Sequence, residues 1–375
     1  MRVQTDFDVI VVGAGFAGLI AASTAAARGL RVAVLEAKAR PGAHIRTTGI
    51  LVKEAAEELD VPLHLTRKIR RVRLYAPNLK HVDIAAPGYY FLATDTSRLL
   101  DWLASRAEHV GAKVFTGARF EGARIRDGRV EMAPSGLTGR FVIGADGARS
   151  NVARAFGLGT NRRFLTGLEV EFPLLENGGD EMLHCFFDSR LAPGYLGWAV
   201  PGVGISQIGL AVRDGRKVEL ATFLKKIGPV LGLNPGAEME RRGGKIPCGG
   251  LVYPFASRHA LLVSDAAGLV SPLTGGGIHC ALRYGRRAAL AVCDYLCDGG
   301  AHPGATLTRQ YPKFAMKKLL RALMNVQPPN ALLNLAIGHP GFLMLARSIF
   351  FHSRRSEWES DSETANLRKT ASGIL

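Results

Sequence analysis

The chain has 375 residues, 47% of them hydrophobic and 21% charged, a globular composition with room for two domains and a sizeable core, which excludes an extensively disordered protein. Its 48 basic against 32 acidic residues give a formal charge of +16 and draw it toward polyanions, yet no zinc-finger spacing, RNP motif or helix-turn-helix pattern makes nucleic acid the expected partner. An anionic membrane surface or a pyrophosphate-bearing substrate suits the charge better, beside the plain alternative of a generally basic proteome.

The first predicted elements are a strand, a glycine turn, a helix and a second strand within FDVIVVGAGFAGLIAASTAAARGLRVAVLEAKA, residues 7 to 39. Gly13, Gly15 and Gly18 form GxGxxG between the apolar VIVV and an alanine-rich helix that is expected to end near Gly29. In this pattern the first glycine permits a tight turn, the second lets backbone amides reach a pyrophosphate and the third allows close helix packing. The helix N-terminus, at Phe16 and Ala17, adds positive dipole for the phosphates. Glu36 follows the second strand and suits the two hydroxyls of an adenosine ribose, with Ala37 beside it, so the bound nucleotide is FAD or NAD rather than NADP. The opening MRVQTDFDVIVV carries Asp6 and Asp8 where a secretory leader needs an unbroken apolar run, so the chain is expected in the cytoplasm. Five cysteines (Cys185, Cys248, Cys280, Cys293 and Cys297) without a CxxC or a four-ligand cluster agree with reduced thiols and no metal. Cys293 and Cys297 share a helix face and are expected in the core.

Further along, FVIGADGARSNVARAFGL (141 to 158) predicts a strand, then Asp146 and Ser150 suited to turn and cap work at the start of a helix. From about 160 to 260 the pattern changes to short alternating runs such as LTGLEVEFPL, MLHCFFDS, YLGWAVP and ISQIGLAV, the signature of antiparallel sheet with one face free to wall a cavity. Tyr195, Trp198, Phe186 and Phe187 are its candidate apolar walls, each with plain core as the alternative. ALLVSDAAGLVSPLTGGGI then gives a strand ending at Asp265 and the run Gly275, Gly276, Gly277, Ile278 opening a helix. Beyond 300 the chain reads as helical and basic. YPKFAMKKLLRALMNV (311 to 326) mixes Lys313, Lys317, Lys318 and Arg321 with leucines, and either lies on an anionic membrane or covers the domain with its charges in water. ALLNLAIGHPGFLMLARSIFF (331 to 351) is split by Gly338-His339-Pro340-Gly341 into pieces shorter than the ~20 residues of a bilayer span, and is expected to dip into the interface or clamp the cavity. The polar residues from about Ser353 read as a flexible tail.

The order of these motifs resembles FAD-dependent enzymes with the hydroxybenzoate-hydroxylase fold, and within that superfamily DAAGLVSPLTGGGI, PGYLGWAVP (193 to 201) and KIPCGGL (245 to 251) resemble the geranylgeranyl reductase family. Gly268 stands where aromatic hydroxylases carry histidine, Ser264 where the family often has glycine, and Leu196 and Val200 where Tyr and Phe are frequent. The resemblance implies that Asp146 lies by the cofactor, that Asp265 accepts a ribityl hydroxyl, and that Gly275, Gly276, Gly277 and Ile278 face the flavin pyrimidine. It implies cofactor contacts from GAHIRTTG (42 to 49), through Arg46 and Thr47, the latter near a cysteine of archaeal members, and from TSRLLDWLASRA (96 to 107), through Arg98. Tyr195, Trp198 and Pro201 come out as substrate-binding. The proton donor is left unassigned: Tyr195 is a candidate by its place near this motif and His279 and Cys280 by adjacency to Ile278, while reduced flavin or water would also serve.

The expected fold is α/β, a Rossmann-type FAD-binding domain (1–75, 95–160 and 255–300) interleaved with an antiparallel-sheet substrate domain (76–94 and 161–254), followed by a helical region (301–352) and a tail (353–375). The expected activity is FAD-dependent saturation of carbon–carbon double bonds in an isoprenoid or other long lipid. NADPH or a ferredoxin-like protein would be the electron donor, and a monomer is expected, in the cytoplasm or at the membrane periphery. The alternatives are a flavin monooxygenase of the same fold and a non-catalytic flavoprotein electron carrier.

Overall fold

The computed structural model describes residues 5–175 and 181–351, so the expected tail lies outside the described residues. Its first layer is a six-stranded sheet in the order Ala256–Ser257, Ala260–Leu262, Phe141–Gly144, Val9–Val12, Val32–Leu35, Lys113–Phe115. All neighbours are parallel except the outermost pair at 256–262. The four strands from Ala260–Leu262 to Val32–Leu35 are buried at every position, which is why VIVV, VAVL, FVIG and ALL read as unbroken apolar runs rather than alternations. The alanine-rich helix Phe16–Ala27 packs between this sheet and the long helix Ile278–Cys297. That crossing is close because Gly285 lies against Ala17: a Cβ at Gly285 would sit 2.6 Å from the Ala17 carbonyl oxygen.

The second layer is a seven-stranded sheet in the order Arg241–Pro247, Phe164–Pro173, Ile205–Arg213, Gly197–Pro201, Met182–Phe186, Arg71–Tyr75, His81–Ile84. Only the pairing of Met182–Phe186 with Arg71–Tyr75 is parallel. One face packs on the helix Leu220–Leu231 through Phe223, Leu224 and Ile227. Arg71–Tyr75 falls in this sheet and not in the cofactor unit to which the sequence boundary at 75 assigned it, because its alternating RVRLY pairs with 182–186 and 81–84. A small sheet of Ile50–Val52, Phe91–Thr94 and Thr66–Ile69 links the two layers.

Among the described residues four helices follow: Pro303–Gln310, Ala315–Met324, Asn330–Ala336 and Pro340–Phe350. The last two meet at 85°, and among the described residues no single helix is long and apolar enough to cross a membrane. The cysteines form no disulfide, and Cys293 is buried as expected. Cys297 is not: it sits in the last turn of its helix, where the packed face has run out, and is exposed.

Candidate cofactor and substrate site

The three glycines of GxGxxG are held in place by different constraints. Gly13 has φ +103°, and a Cβ there would lie 2.4 Å from the Ala145 carbonyl oxygen at the end of the neighbouring strand. A Cβ at Gly18 would meet the Gly13 carbonyl at 1.9 Å. Gly15, in extended backbone, has nothing within 4 Å of the same point and borders an open cavity together with Gly13, Phe16 and Ala17. It is also the N-cap of Phe16–Ala27, a helix whose first turn carries no acid, so its amides and dipole are left for an anion. Glu36 is buried at the end of the second strand, where its carboxylate accepts from the Ala14 amide at 2.8 Å and the Lys38 amide at 2.9 Å. It lines the same cavity, as do Ala37, Arg46 and Thr47.

The second and third motifs meet on this cavity. Asp146 does the cap work expected of it, Oδ2 accepting from Asn151 (2.6 Å) and Val152 (3.0 Å), while Ser150 caps the short helix through Ala153. Its other oxygen is buried with no hydrogen-bond partner, and burial pushes the carboxyl up despite those donors. Asn161, which no sequence pattern singled out, ties the two motifs by donating to the carbonyls of Ala148 and Asp265 at 3.1 and 2.8 Å. Asp265 sits in the single turn Ser264–Ala267, its Oδ1 bonded to the Ser264 hydroxyl at 3.3 Å. Ser264 adopts φ +53°, so the serine found in place of the family's glycine occupies a left-handed position. Gly268 has its own requirement: φ is +72° and a Cβ would lie 2.3 Å from the Gly250 carbonyl, so this loop has no room for the hydroxylases' histidine. Gly275, Gly276, Gly277 and Ile278 then border the cavity at the N-terminus of Ile278–Cys297.

Burial raises the Asp265 carboxyl above its ordinary value, with the Ser264 hydroxyl opposing. The folded protein therefore holds that proton more tightly than the unfolded chain, and stability falls as pH climbs from the ordinary 3.8 toward the raised value, then levels off. Asp265→Asn removes this loss. Urea unfolding of FAD-stripped protein between about pH 4 and about pH 7 is expected to show a flatter stability profile for the variant, which also retains less FAD after purification.

The seven-stranded sheet supplies the opposite wall. Tyr195 and Trp198 line the cavity; Pro201, at the far end of the same strand, does not. Tyr195 donates its hydroxyl proton to the Thr274 carbonyl, and its oxygen lies 2.8 Å from where a Cβ on Gly275 would be. Burial pushes this phenol well up, with Cys185 adding to the rise and Arg321 opposing it. The two phenylalanines part company: Phe187 lines the cavity, and Phe186 stacks on Tyr75 (4.3 Å between centroids) in the core behind the sheet. His279 and Cys280 lie outside the lining. So does Arg98, whose side chain is 74% exposed and pairs with Asp95, because the helix Thr96–His109 turns Leu100 and not Arg98 toward the site. Gly18 is a packing residue and likewise does not reach the cavity.

All of this encloses one continuous cavity of about 1830 Å³, above the roughly 300–1,000 Å³ of ordinary small-ligand sites. Its cofactor end is polar. The rest is mostly apolar, lined by Leu183, Cys185, Phe187 and Leu273 with Asp188, Ser189 and Lys245 among them, and by Leu320, Leu323, Leu333, Phe342 and Ile349 of the C-terminal helices. The open space at Gly15, the unpaired amides after it, the pinned Glu36 and the orphaned Asp146 oxygen fit an extended dinucleotide reaching from the first motif to the third.

A profile for NAD(P)-binding Rossmann-like domains matches residues 11–76. Digeranylgeranylglycerophospholipid reductase 2 of Methanopyrus kandleri is 32% identical over 319 residues, 77% of this chain and 77% of the relative. The chain belongs to the geranylgeranyl reductase family. Geranylgeranyl diphosphate reductase of Rhodobacter capsulatus is 30% identical over 312 residues, 78% of this chain and 76% of that one. The crystal structure of a geranylgeranyl bacteriochlorophyll reductase-like protein from Thermoplasma acidophilum shares the fold, with TM-score 0.80 at 20% identity over 95% of this chain and 99% of that one. Aklavinone-11 hydroxylase, solved with FAD, shares it more distantly, with TM-score 0.67 at 18% identity over 91% of this chain and 73% of that one. Membership makes the chain an FAD-dependent oxidoreductase and bears out the expected α/β fold.

Proposed function

We propose that this reductase saturates carbon–carbon double bonds of an isoprenoid lipid. The observation that carries the proposal is the single cavity in which the cofactor residues and a long apolar chamber are continuous. Once bound and reduced by an external donor, FAD would supply the hydride. Gly13, Gly15, Glu36 and Asp146 would hold it at one end, and Asp265 and Gly275–Gly277 at the other. The N-terminus of Ile278–Cys297 favours negative charge at that second end, while the apolar walls orient the chain and exclude water.

Addition of hydride to one alkene carbon leaves a proton to be supplied at the other. Tyr195 is the candidate donor in this reading by its place on the cavity at the rim of the glycine loop. NADPH or a ferredoxin-like protein would restore the cofactor, the latter drawn by the chain's excess of basic residues.

Association with an anionic membrane belongs to the same proposal. In Ala315–Met324 the charges are not simply turned to water: Arg321 is buried, whereas Met316 (66%), Leu319 (58%) and Leu323 (61%) are exposed beside basic Lys313 and Lys318. Leu323 also lines the cavity, so the exposed apolar face runs into its mouth.

Anaerobic incubation of the FAD-loaded protein with a reductant and a geranylgeranyl lipid, read by mass spectrometry, tests the reaction. A gain of about two mass units per double bond is expected, from one hydride and one proton. Turnover that requires oxygen and yields a hydroxylated product would instead make the chain a monooxygenase.

A further inference from the structure

A charged pair, Glu169 and Arg242, is built into the wall of this chamber, where Asp188 and Lys245 also lie. Arg242, Glu169, Gly209 and Trp198 occupy one row across four neighbouring strands, by the pairings Arg242↔Glu169, Glu169↔Gly209 and Gly209↔Trp198. Trp198 and Glu169 stand two strand spacings apart, roughly 10 Å. The indole bridges that gap because the residue between is glycine: a Cβ on Gly209 would lie 2.6 Å from Cζ2 of Trp198. Its Nε1 then donates to Oε2 of Glu169 at 2.6 Å.

The same carboxylate oxygen accepts from the Thr48 hydroxyl at 2.5 Å. Thr48 belongs to the loop that carries Arg46 and Thr47 along the cofactor end, so this oxygen joins the cofactor loop to the substrate wall. Oε1 accepts from Arg242 Nε (2.7 Å), and Arg242 also reaches Glu171. With its amide oriented to donate to the Thr48 carbonyl (2.7 Å), Gln207 accepts from Arg242 and closes the ring of contacts. Arg242 and Glu169 side chains are 11% and 6% exposed. Buried ion pairs contribute little net stability compared with apolar residues of the same size, so stability alone does not account for one here.

We propose that Glu169, aligned by Arg242, is a positioning residue whose single carboxylate fixes both the Trp198 indole and the Thr48 loop, and so sets the gap between cofactor and substrate wall in which the alkene lies. The proposal rests on the reading of the chain as an alkene reductase. It assigns Glu169 a part in choosing which double bond of a long polyene is presented.

The test compares FAD-loaded wild type, Glu169→Gln, Trp198→Phe and the double variant on a geranylgeranyl lipid. Glu169→Gln is expected to keep its FAD content and to lose about tenfold to a hundredfold in kcat, the scale of an ångström-sized misplacement, with a smaller change in KM and accumulation of partly reduced products. In the Trp198→Phe background the same substitution should add less than about threefold, because residues sharing one contact do not act additively. Independent, multiplying effects, or an unchanged kcat and product pattern, overturn the proposal. Should Glu169→Gln fail to fold, Thr48→Val, which removes only the loop's hydrogen bond to the same carboxylate, is read in the same way.

A second readout needs no turnover. In a protein retaining Trp198 as its sole tryptophan, Glu169→Gln should shift the indole emission, and an unmoved spectrum overturns the clamp. Wild-type protein that reduces no alkene sinks the functional reading and leaves this spectral comparison to decide the clamp.

Discussion

Gly13→Ala is expected to yield protein that is both less stable and free of FAD, whereas Gly15→Ala is expected to yield protein of nearly normal stability that has lost FAD alone. The two positions are two residues apart in one motif, and their surroundings dictate the difference. At Gly13 the backbone sits at φ +103°, which costs an L-residue roughly 1–2 kcal/mol. The new methyl would also lie 2.4 Å from the Ala145 carbonyl oxygen and 2.9 Å from its carbon. Those atoms are backbone at the end of a fully buried strand, so relief requires moving Phe141–Gly144 against Val9–Val12, and overpacking of that kind adds about 1–3 kcal/mol. A melting temperature lower by roughly 5–10 °C is expected for the apo protein. At Gly15 the extended backbone accepts alanine and the methyl meets no protein atom; it projects into the space the pyrophosphate needs. Thermal unfolding of FAD-stripped protein, paired with FAD absorbance after purification, separates the two. A Gly15→Ala protein that loads FAD normally would place the phosphates elsewhere.

The βαβ unit was legible because each of its constraints is local. VIVV and VAVL are buried on both faces and so read without alternation, and the acid at Glu36 falls where the second strand ends. Asp146, Asp265 and the glycine run were legible as motifs, but their convergence was not, since Asn161 fastens them from a position with no sequence signal. Arg98 lies off the cavity for a related reason. A helix pattern fixes which residues share a face but not the rotation of the helix about the site, and here it is Leu100 that borders the cavity. The Glu169–Arg242 pair was invisible because its members are 73 residues apart and meet only through strand register. The one signal available was a glutamate and an arginine at inward positions of alternating strands, a pattern that solvated strand faces also produce. The C-terminal amphipathic helix was seen correctly, but amphipathicity does not say which side faces in. The structure turns Arg321 inward, over the Tyr195 ring at 6.0 Å, with two of its guanidinium nitrogens lacking hydrogen-bond partners.

That helix carries the other large expected effect. Met316→Asp with Leu319→Asp should abolish binding to anionic phospholipid vesicles while leaving melting temperature and FAD content unchanged, because both side chains are more than half exposed and neither lines the cavity. Burying a leucine- or methionine-sized side chain in hydrocarbon is worth about 1.5–3 kcal/mol, so losing two weakens partitioning by roughly a hundredfold or more. Cosedimentation with vesicles measures it, and raised salt should weaken the wild type in the same direction, since Lys313 and Lys318 flank the apolar face. The consequence for catalysis follows from the continuity of that face with the chamber. Leu323 and Leu345 are exposed to solvent and line the cavity at once, so a chain leaving a bilayer beside them would meet apolar surface all the way to the interior. The double variant should therefore lose kcat/KM on a geranylgeranyl lipid presented in vesicles and keep it on a short, water-soluble prenyl substrate. Equal losses on both would mean that the helix shapes the chamber itself and that the lipid reaches it by another route.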